Sequence, residues 1–456
     1  MKFDILVAEI GSTTTVVNAF SDLNTTDPKF VGQGQSPTTV KEDDVTIGLS
    51  KAIESLAVNL GVEKVEYDEL IATSSAAGGL KMTVHGLVYD MTAKAAKEAA
   101  LGAGANIHLV TAGRIRRTDV KKIKDVKPNI ILIAGGVDHG ERDTAIYNAE
   151  VVVGLDLDVP VIYAGNIDNH EEIIEIFEEV GKRDLLYIVE NVYPKIDMLN
   201  VEPTRKVIQD AFEEHIVHAP GMHHVRDMVN GPIIPTPGAV MEASKVLKEE
   251  IGDLVTIDVG GATTDIHSVT EGSEEVSRVL ISPEPVAKRT VEGDLGVYVN
   301  MLNIVEMIGE EKLGQQLGFS DEQVKGLIEA HIPIPKTEDQ FKFVERLTHE
   351  AVIVSANRHA GGYRDLFKGG GKKSMAEGKD LTSVQYIVGT GGALTRLPNR
   401  VDIIKQIPLS NKGNKLLPNN EIEVLIDNDY IMASLGVLSK ENREAAVRLM
   451  KKSLKI

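Results

Sequence analysis

Cysteine is absent from the 456 residues. That removes disulfides, cysteine-ligated zinc, iron–sulfur clusters and a cysteine nucleophile together. No run of about 18 apolar residues occurs, which argues against a membrane-spanning helix. The opening Met1-Lys2-Phe3-Asp4-Ile5-Leu6-Val7 lacks the basic region, apolar stretch and small-residue cleavage site of an export signal, so a cytoplasmic location is expected. Positive charge is scarce. Lys and Arg number 49 against 68 Asp and Glu, giving a net charge of −19 and a pI near 5.2. Such a chain is ill suited to duplex nucleic acid, where affinity comes mostly from neutralised phosphates. A local nucleotide site is not excluded, because backbone N–H groups can build one. The length predicts about two to four domains. Hydrophobic residues at 42% and 41 glycines fit an α/β globule with many strand-to-helix turns.

The first apolar run, residues 5–10, meets Gly11-Ser12-Thr13-Thr14-Thr15 and resumes at Val16-Val17. This pattern predicts a hairpin. Asp43 or Asp44 can cap a helix with apolar positions Val45, Leu49, Ile53, Leu56 and Leu60, ended by Gly61. Residues 90–101 form an Ala-rich helix. Residues 130–134 are a buried-type strand that runs into Gly135-Gly136 and then a helix to about Val153. Residues 159–163 are another strand, and Asp168 caps a helix that ends at Gly181. Strands alternating with helices predict parallel β-α units and a layered α/β sheet. After Pro232, Pro235 and Pro237 comes a helix over 239–251. A strand over 254–259, a Gly-Gly turn and a returning strand over 265–269 follow. Residues 294–360 are mostly helical, with capping boxes at Ser320/Gln323 and Thr337/Gln340. Residues 368–380 hold four glycines and four lysines and predict a mobile loop. A strand at 386–388 enters Gly389-Thr390-Gly391-Gly392. Residues 421–438 close the chain with a strand, an Asp-rich turn and a helix from Asp429.

One internal repeat stands out. Val7-Ala8-Glu9-Ile10-Gly11-Ser12-Thr13-Thr14-Thr15 matches Thr256-Ile257-Asp258-Val259-Gly260-Gly261-Ala262-Thr263-Thr264 in pattern. The copies lie too far apart for a short solenoid repeat, so a duplicated domain is expected. The strand–Gly-Gly–helix stretch at 131–148 likewise echoes 386–397. Each hairpin sets a carboxylate two residues before a Gly-led turn rich in Thr. Glycine lets backbone approach a phosphate and expose N–H groups, and Thr and Ser hydroxyls add neutral donors. Glu9 or Asp258 can hold Mg²⁺ through its waters. One such hairpin alone often does no more than close two strands. Two copies, each behind an acidic strand end, form a clamp on a polyphosphate. The small residues at 389–392 permit a flat ring to lie on the backbone, although a tight parallel-sheet turn also explains a lone Gly-Gly.

These elements, in this order, resemble the phosphate-1, phosphate-2 and adenosine motifs of the actin/Hsp70/sugar-kinase superfamily. Pro235-Thr236-Pro237-Gly238-Ala239-Val240-Met241-Glu242-Ala243 resembles its first connecting helix, and Asp429-Tyr430-Ile431-Met432-Ala433-Ser434-Leu435-Gly436 its closing helix. Within the superfamily the chain resembles the MutL/GlmL proteins associated with cobalamin-dependent glutamate mutase and ornithine aminomutase. The carrying residues are those of the two hairpins, Asp265, and Arg289-Thr290-Val291-Glu292-Gly293-Asp294-Leu295-Gly296. The resemblance implies two RNase H-like α/β lobes around a nucleotide cleft. The N-terminal lobe, with an inserted α/β segment, would span 1–235 and the C-terminal lobe 236–456. It implies ATP or ADP contacts at Gly11, Ser12, Thr13, Thr14, Thr15, Gly260, Gly261, Ala262, Thr263, Thr264, Gly389, Gly391 and Gly392. It implies Mg²⁺ near Glu9, Asp258 and Asp265, with Asp258 orienting a water or the metal shell. The superfamily usually carries Asp where this chain has Glu9. One extra methylene shifts the metal geometry and bears on hydrolysis more than on binding.

The implied function is an ATP-binding accessory or reactivating, chaperone-like factor for a cobalamin-dependent mutase, with slow Mg-ATP hydrolysis compatible. A small-molecule kinase on the same scaffold is the alternative, but no acceptor base stands out beyond Asp258. A reductive activator usually needs cysteine-held iron–sulfur. A polymerising scaffold would be betrayed by nucleotide-dependent filaments. Other constellations are weaker. Gly369-Gly370-Gly371-Lys372-Lys373-Ser374 lacks Walker A spacing and a preceding strand. His215, His218, His223 and His224 are four of the 12 histidines and could serve a transition metal, but Pro220-Gly221 interrupts them and a polar surface loop is simpler. Asp265-Ile266-His267-Ser268-Val269-Thr270 approaches a corrin-binding motif but ends in Thr and belongs to the hairpin.

Overall fold

The computed structural model describes every residue except Met1, Thr13, Ala77, Gly78, Ala219, Pro220, Gly369 and Gly370. By its contacts the chain forms two units. Unit 1 comprises 1–243 with 433–449, and unit 2 comprises 244–432 with 450–456.

In unit 1 the apolar strand β1 (Lys2–Ile10) turns through Gly11-Ser12 into β2 (Thr14–Ser21), and β3 (Lys29–Pro37) follows. The helix Val45–Leu60 starts where the Asp44 carboxylate accepts from Thr46 N–H, and ends at Gly61 with φ 66°. It lays Val45, Leu49, Ala52 and Leu56 on the sheet. Gly34 permits that approach, since a Cβ there would stand 2.7 Å from Leu56 Cα. β4 (Glu66–Ser74) returns parallel to β1. The chain then builds a separate all-parallel sheet from β5 (Lys81–Gly86), β6 (Asn106–Ala112), β7 (Ile130–Ile133), β8 (Val161–Tyr163) and β9 (Leu186–Ile188), in the order β6-β5-β7-β8-β9. β10 (Ile233–Pro235) finally pairs parallel with β4. The main sheet thus reads β3-β2-β1-β4-β10.

Unit 2 repeats that plan. β11 (Leu254–Val259), β12 (Thr264–Val269) and β13 (Ala287–Glu292) run antiparallel in turn. After a helical stretch and a hairpin of β14 (Gly362–Lys368) with β15 (Gly371–Glu377), β16 (Tyr386–Thr390) and β17 (Glu423–Ile426) extend the sheet in parallel. The order β13-β12-β11-β16-β17 matches the first sheet strand for strand. Both are RNase H-like, and the duplication is the actin-like ATPase fold. The capping boxes at Ser320/Gln323 and Thr337/Gln340 are both formed.

Two expectations need correcting. Residues 371–377 of the expected loop at 368–380 instead form β15, paired antiparallel with β14, while Gly369 and Gly370 lie outside the described residues. The base of this hairpin is anchored by apolar and polar burial. Ala376 packs with Val276 and Leu416, and the buried Lys379 ammonium donates to the carbonyls of Thr270 (2.7 Å), Pro285 (2.6 Å) and Val286 (3.0 Å). The echo between 131–148 and 386–397 is not a repeat of the lobes. β7 belongs to the inserted sheet, and the strand placed like β16 in unit 1 is β4. Similar turn chemistry at the end of any buried parallel strand produced the match.

Two histidines are sealed inside these sheets. Burial pushes His85 down to about 4, and burial followed by the nearby Arg289 charge pushes His267 down to about 3. Both stay neutral in the folded protein but take up a proton near pH 6.5 once unfolded. The unfolded chain therefore binds more protons below that value, and stability rises with pH up to it. Urea unfolding is expected to show a plateau above about pH 7 and a loss on the order of several kcal/mol between pH 6.5 and 4. A flat profile over that window would contradict the burial.

Candidate functional site

β11 delivers Asp258 to the end of its strand, half-buried, before the chain turns through Gly260-Gly261-Ala262-Thr263 into β12. Gly260 N–H donates to Thr263 O at 2.9 Å and closes the turn. Among the described residues, the amides of Gly261, Ala262 and Thr263 donate to nothing. Three consecutive unspent donors make an anion-binding concavity.

The 389–392 turn lies against this corner. Asp258 pairs with Thr390 across the parallel ladder. Gly391 holds φ 83°, and a Cβ on it would meet Asp258 Oδ1 and stand 2.6 Å from Val259 O. Gly392 is exposed and has open space around its α-carbon, whereas Gly389 faces Ile404 in the core and serves packing. Thr390 Oγ1 donates to Asp427 at 2.9 Å. Asp427 is buried, which raises its pKa, and it accepts from Ile431 N–H, Met432 N–H and Ser453 Oγ.

The hydroxyls divide into two groups. Thr264 is buried and donates to Leu295 O at 2.7 Å, away from the turn's open amides. Thr263 Oγ1 donates to Asp265 Oδ2 at 3.0 Å. The structure places Asp265 beside Arg289, with Oδ1 at 2.6 Å from Nη2 and 2.8 Å from Nε. Its charge is thus compensated within the protein.

Unit 1 carries the matching corner. Glu9 pairs with Thr73 of β4, as Asp258 pairs with Thr390. Gly11 N–H donates to Thr14 O at 3.1 Å. Glu9 is only 9% exposed, and its Oε1 accepts from Ser434 Oγ at 2.6 Å and from Asn18 Nδ2 at 3.4 Å. Ser12 is exposed and donates to Ser75 O, and Thr14 is exposed. Thr15 is buried against Thr38 Oγ1 at 2.9 Å. Thr13 lies outside the described residues. Ser434 and Asn18 escaped the sequence reading. Asn18 did leave a signal, as a lone polar residue within Val16-Val17-Asn18-Ala19-Phe20.

The histidine-rich stretch places the His215 and His218 rings 5.8 Å apart, while His224 turns to Asp227. Among the described residues, no group of three or more His, Asp or Glu could hold a metal ion. Among those residues no helix is long and apolar enough to cross a membrane.

Residues 5–454 match the family model described as MutL protein. Protein MutL of Clostridium tetanomorphum is 37% identical over 462 residues, covering 98% of each chain. Among solved structures, a diol dehydratase-reactivating factor in nucleotide-free form overlays with TM-score 0.40 at 9% identity, over 97% of this chain and 100% of that one. Nucleotide-free acetone carboxylase gives TM-score 0.40 at 12% identity, over 96% and 70%. These overlays are loose, and the fold rests on strand order. The family match runs nearly end to end and the curated relative shares 37% of its residues, so this chain belongs to the MutL protein family.

Proposed function

We propose that this protein is an ATP-binding accessory factor that reactivates a cobalamin-dependent mutase of the glutamate mutase or ornithine aminomutase kind. The observation that carries nucleotide binding is within unit 2. The open amides of Gly261, Ala262 and Thr263 sit beside Asp258, and Gly391 brings the second turn against that carboxylate. The amides would take phosphate oxygens, and the exposed Gly392 would leave room for a base. A single half-buried carboxylate beside an anion site fits Mg²⁺, which keeps several waters and takes the rest of its shell from phosphate. When bound, Mg²⁺ neutralises phosphate charge. Asp258 would hold its water shell, and Asp265, compensated by Arg289, would fix Thr263. In unit 1, Ser12 and Thr14 offer exposed hydroxyls and Glu9 is held by Ser434. The mutase partner rests on family membership. Differential affinity of the ATP and ADP states for that partner would do the work.

Two measurements test this. ATP titration into wild type and Asp258→Ala with Mg²⁺ should show roughly tenfold or greater weakening in the variant. Mixing the protein, ATP-Mg and an inactivated cobalamin mutase should restore turnover. Equal affinities would remove Asp258 from the site. No recovery and no complex would overturn the accessory role, and ATP-dependent phosphorylation of a small molecule would replace it with a kinase.

A further inference from the structure

The motif at 289–296 enters the reading above only through Arg289. Its second half has another task. Residues 293–300 run along the turn that follows Asp258 and collect its carbonyls. Val297 N–H donates to Gly260 O at 3.2 Å, and Tyr298 and Val299 N–H both donate to Gly261 O, at 2.9 and 2.7 Å. Asn300 Nδ2 donates to Ala262 O at 2.7 Å and to Gly293 O at 2.8 Å. Gly296 permits this contact, since a Cβ there would stand 2.5 Å from Ala262 Cα. With every carbonyl from 260 to 262 engaged on one side, the amides of 261–263 are left for the other. The segment is itself clamped. Arg358 reaches Glu292 at 2.6 Å and Asp294 at 2.8 Å, and the His331 ring lies between Tyr298 and Phe343 with centroids 5.6 Å away on each side.

The same segment opens onto solvent. Tyr298, Val299 and Leu302 are 37%, 58% and 61% exposed. Val299 lies in the turn just before the helix Met301–Ile308, and within that helix Leu302 and Glu306 stand one turn apart at i and i+4. Glu306, Glu310 and Glu311 follow Leu302 in sequence and are exposed, with Lys312 the one cation from 301 to 318. Glu306 and Glu310 have no ion pair among the described residues. Contiguous exposed apolar side chains with a charged border mark an interaction surface.

We infer that Tyr298, Val299 and Leu302 with the acidic border at Glu306 and Glu310 form the docking surface for the mutase, and that the phosphate turn sets its shape. The inference rests on the functional reading above. The occupant is a protein surface presenting an apolar side chain flanked by Lys or Arg, because the border here is acidic. The coupling is local: Gly261 O accepts from the backbone of two of the three apolar residues, so a shift of that peptide on phosphate binding or loss must carry them with it. Two states of the turn would then give the partner two affinities.

The test uses the full chain and a purified cobalamin-dependent mutase, with binding measured by calorimetry in ATP-Mg and in ADP-Mg. Leu302→Asp and Glu306→Lys should each weaken mutase binding roughly tenfold or more while leaving ATP affinity unchanged, which also shows that the variants fold. Asn300→Ala should shrink the ratio between the ATP and ADP affinities for the mutase. If wild type binds and both surface variants bind equally well, the docking surface is wrong while the accessory role stands. If Asn300→Ala keeps the full ratio, the coupling is wrong. If wild type does not bind the mutase at all, the functional reading fails and this inference falls with it.

Discussion

Gly391→Val is expected to abolish measurable ATP binding, a loss of roughly a hundredfold or more, whereas Gly392→Ala next to it should cost little. The two glycines differ in what surrounds them. Gly391 sits at φ 83°, where a β-branched residue is strained by on the order of 1–3 kcal/mol. Its Cβ would also collide with Asp258 Oδ1 and stand 2.6 and 2.7 Å from Val259 O and N. Relief of that clash must push Asp258 or the end of β11 aside, and both would shape the phosphate site. Gly392 has ordinary φ and nothing within 4 Å. Calorimetric titration of both variants, with thermal unfolding as the check on the fold, measures the contrast. Gly391→Ala is the milder probe should valine prevent folding, and it meets the same atoms. Wild-type affinity in a folded Gly391 variant would mean that the second turn does not shape the nucleotide site.

Much of this architecture was readable from local patterns. The two hairpins were legible because each couples an apolar strand, a Gly-led turn and a second apolar strand, and register follows from a short turn. The corners' different uses of threonine were not. Thr14 and Thr15 are the same residue type, yet Thr14 is exposed at the start of β2 and Thr15 is buried against Thr38. The strand character of β15 was not legible, because its Gly and Lys content carries no apolar alternation and its anchors, Ala376 and Lys379, act through partners distant in sequence. The pairing of Asp265 carries no local signal, because Arg289 comes beside it through the β12–β13 register, in which Arg289 faces His267. Least legible was the support of the phosphate turn by residues 293–300. Most of those hydrogen bonds run backbone to backbone, so side-chain identity signals them only at Gly296 and Asn300. The closing helix was anticipated near its place, but its serine on Glu9 depends on unit 1 gathering residues 433–449.

Arg289→Leu is expected to be the most destabilising single substitution in unit 2. Arg289 is 1% exposed and its guanidinium makes two contacts with one carboxylate oxygen of Asp265. Removing one partner of a buried ion pair leaves the other charge uncompensated, and the cost is about 3–5 kcal/mol. The double variant Arg289→Leu with Asp265→Leu removes both charges and should recover much of that loss, as measured by urea unfolding in a double-mutant cycle. The pH dependence carries a second signature. His267 faces Arg289 across the ladder, and its depressed pKa arises from burial first and Arg289 second, with Asp265 acting in the opposite direction. Without the guanidinium, His267 is freed of a repelling cation and left near an unpaired carboxylate, so its folded-state pKa rises toward its ordinary value. Folded His267 then takes up a proton that the wild-type fold refuses, and the variant loses less stability than wild type as pH falls from 7 to 5. The gap between the two proteins should therefore be widest near pH 8 and narrow toward pH 5. A gap below about 1 kcal/mol at pH 8, or one that widens in acid, would show that the pair is not the electrostatic anchor of the turn behind Asp258.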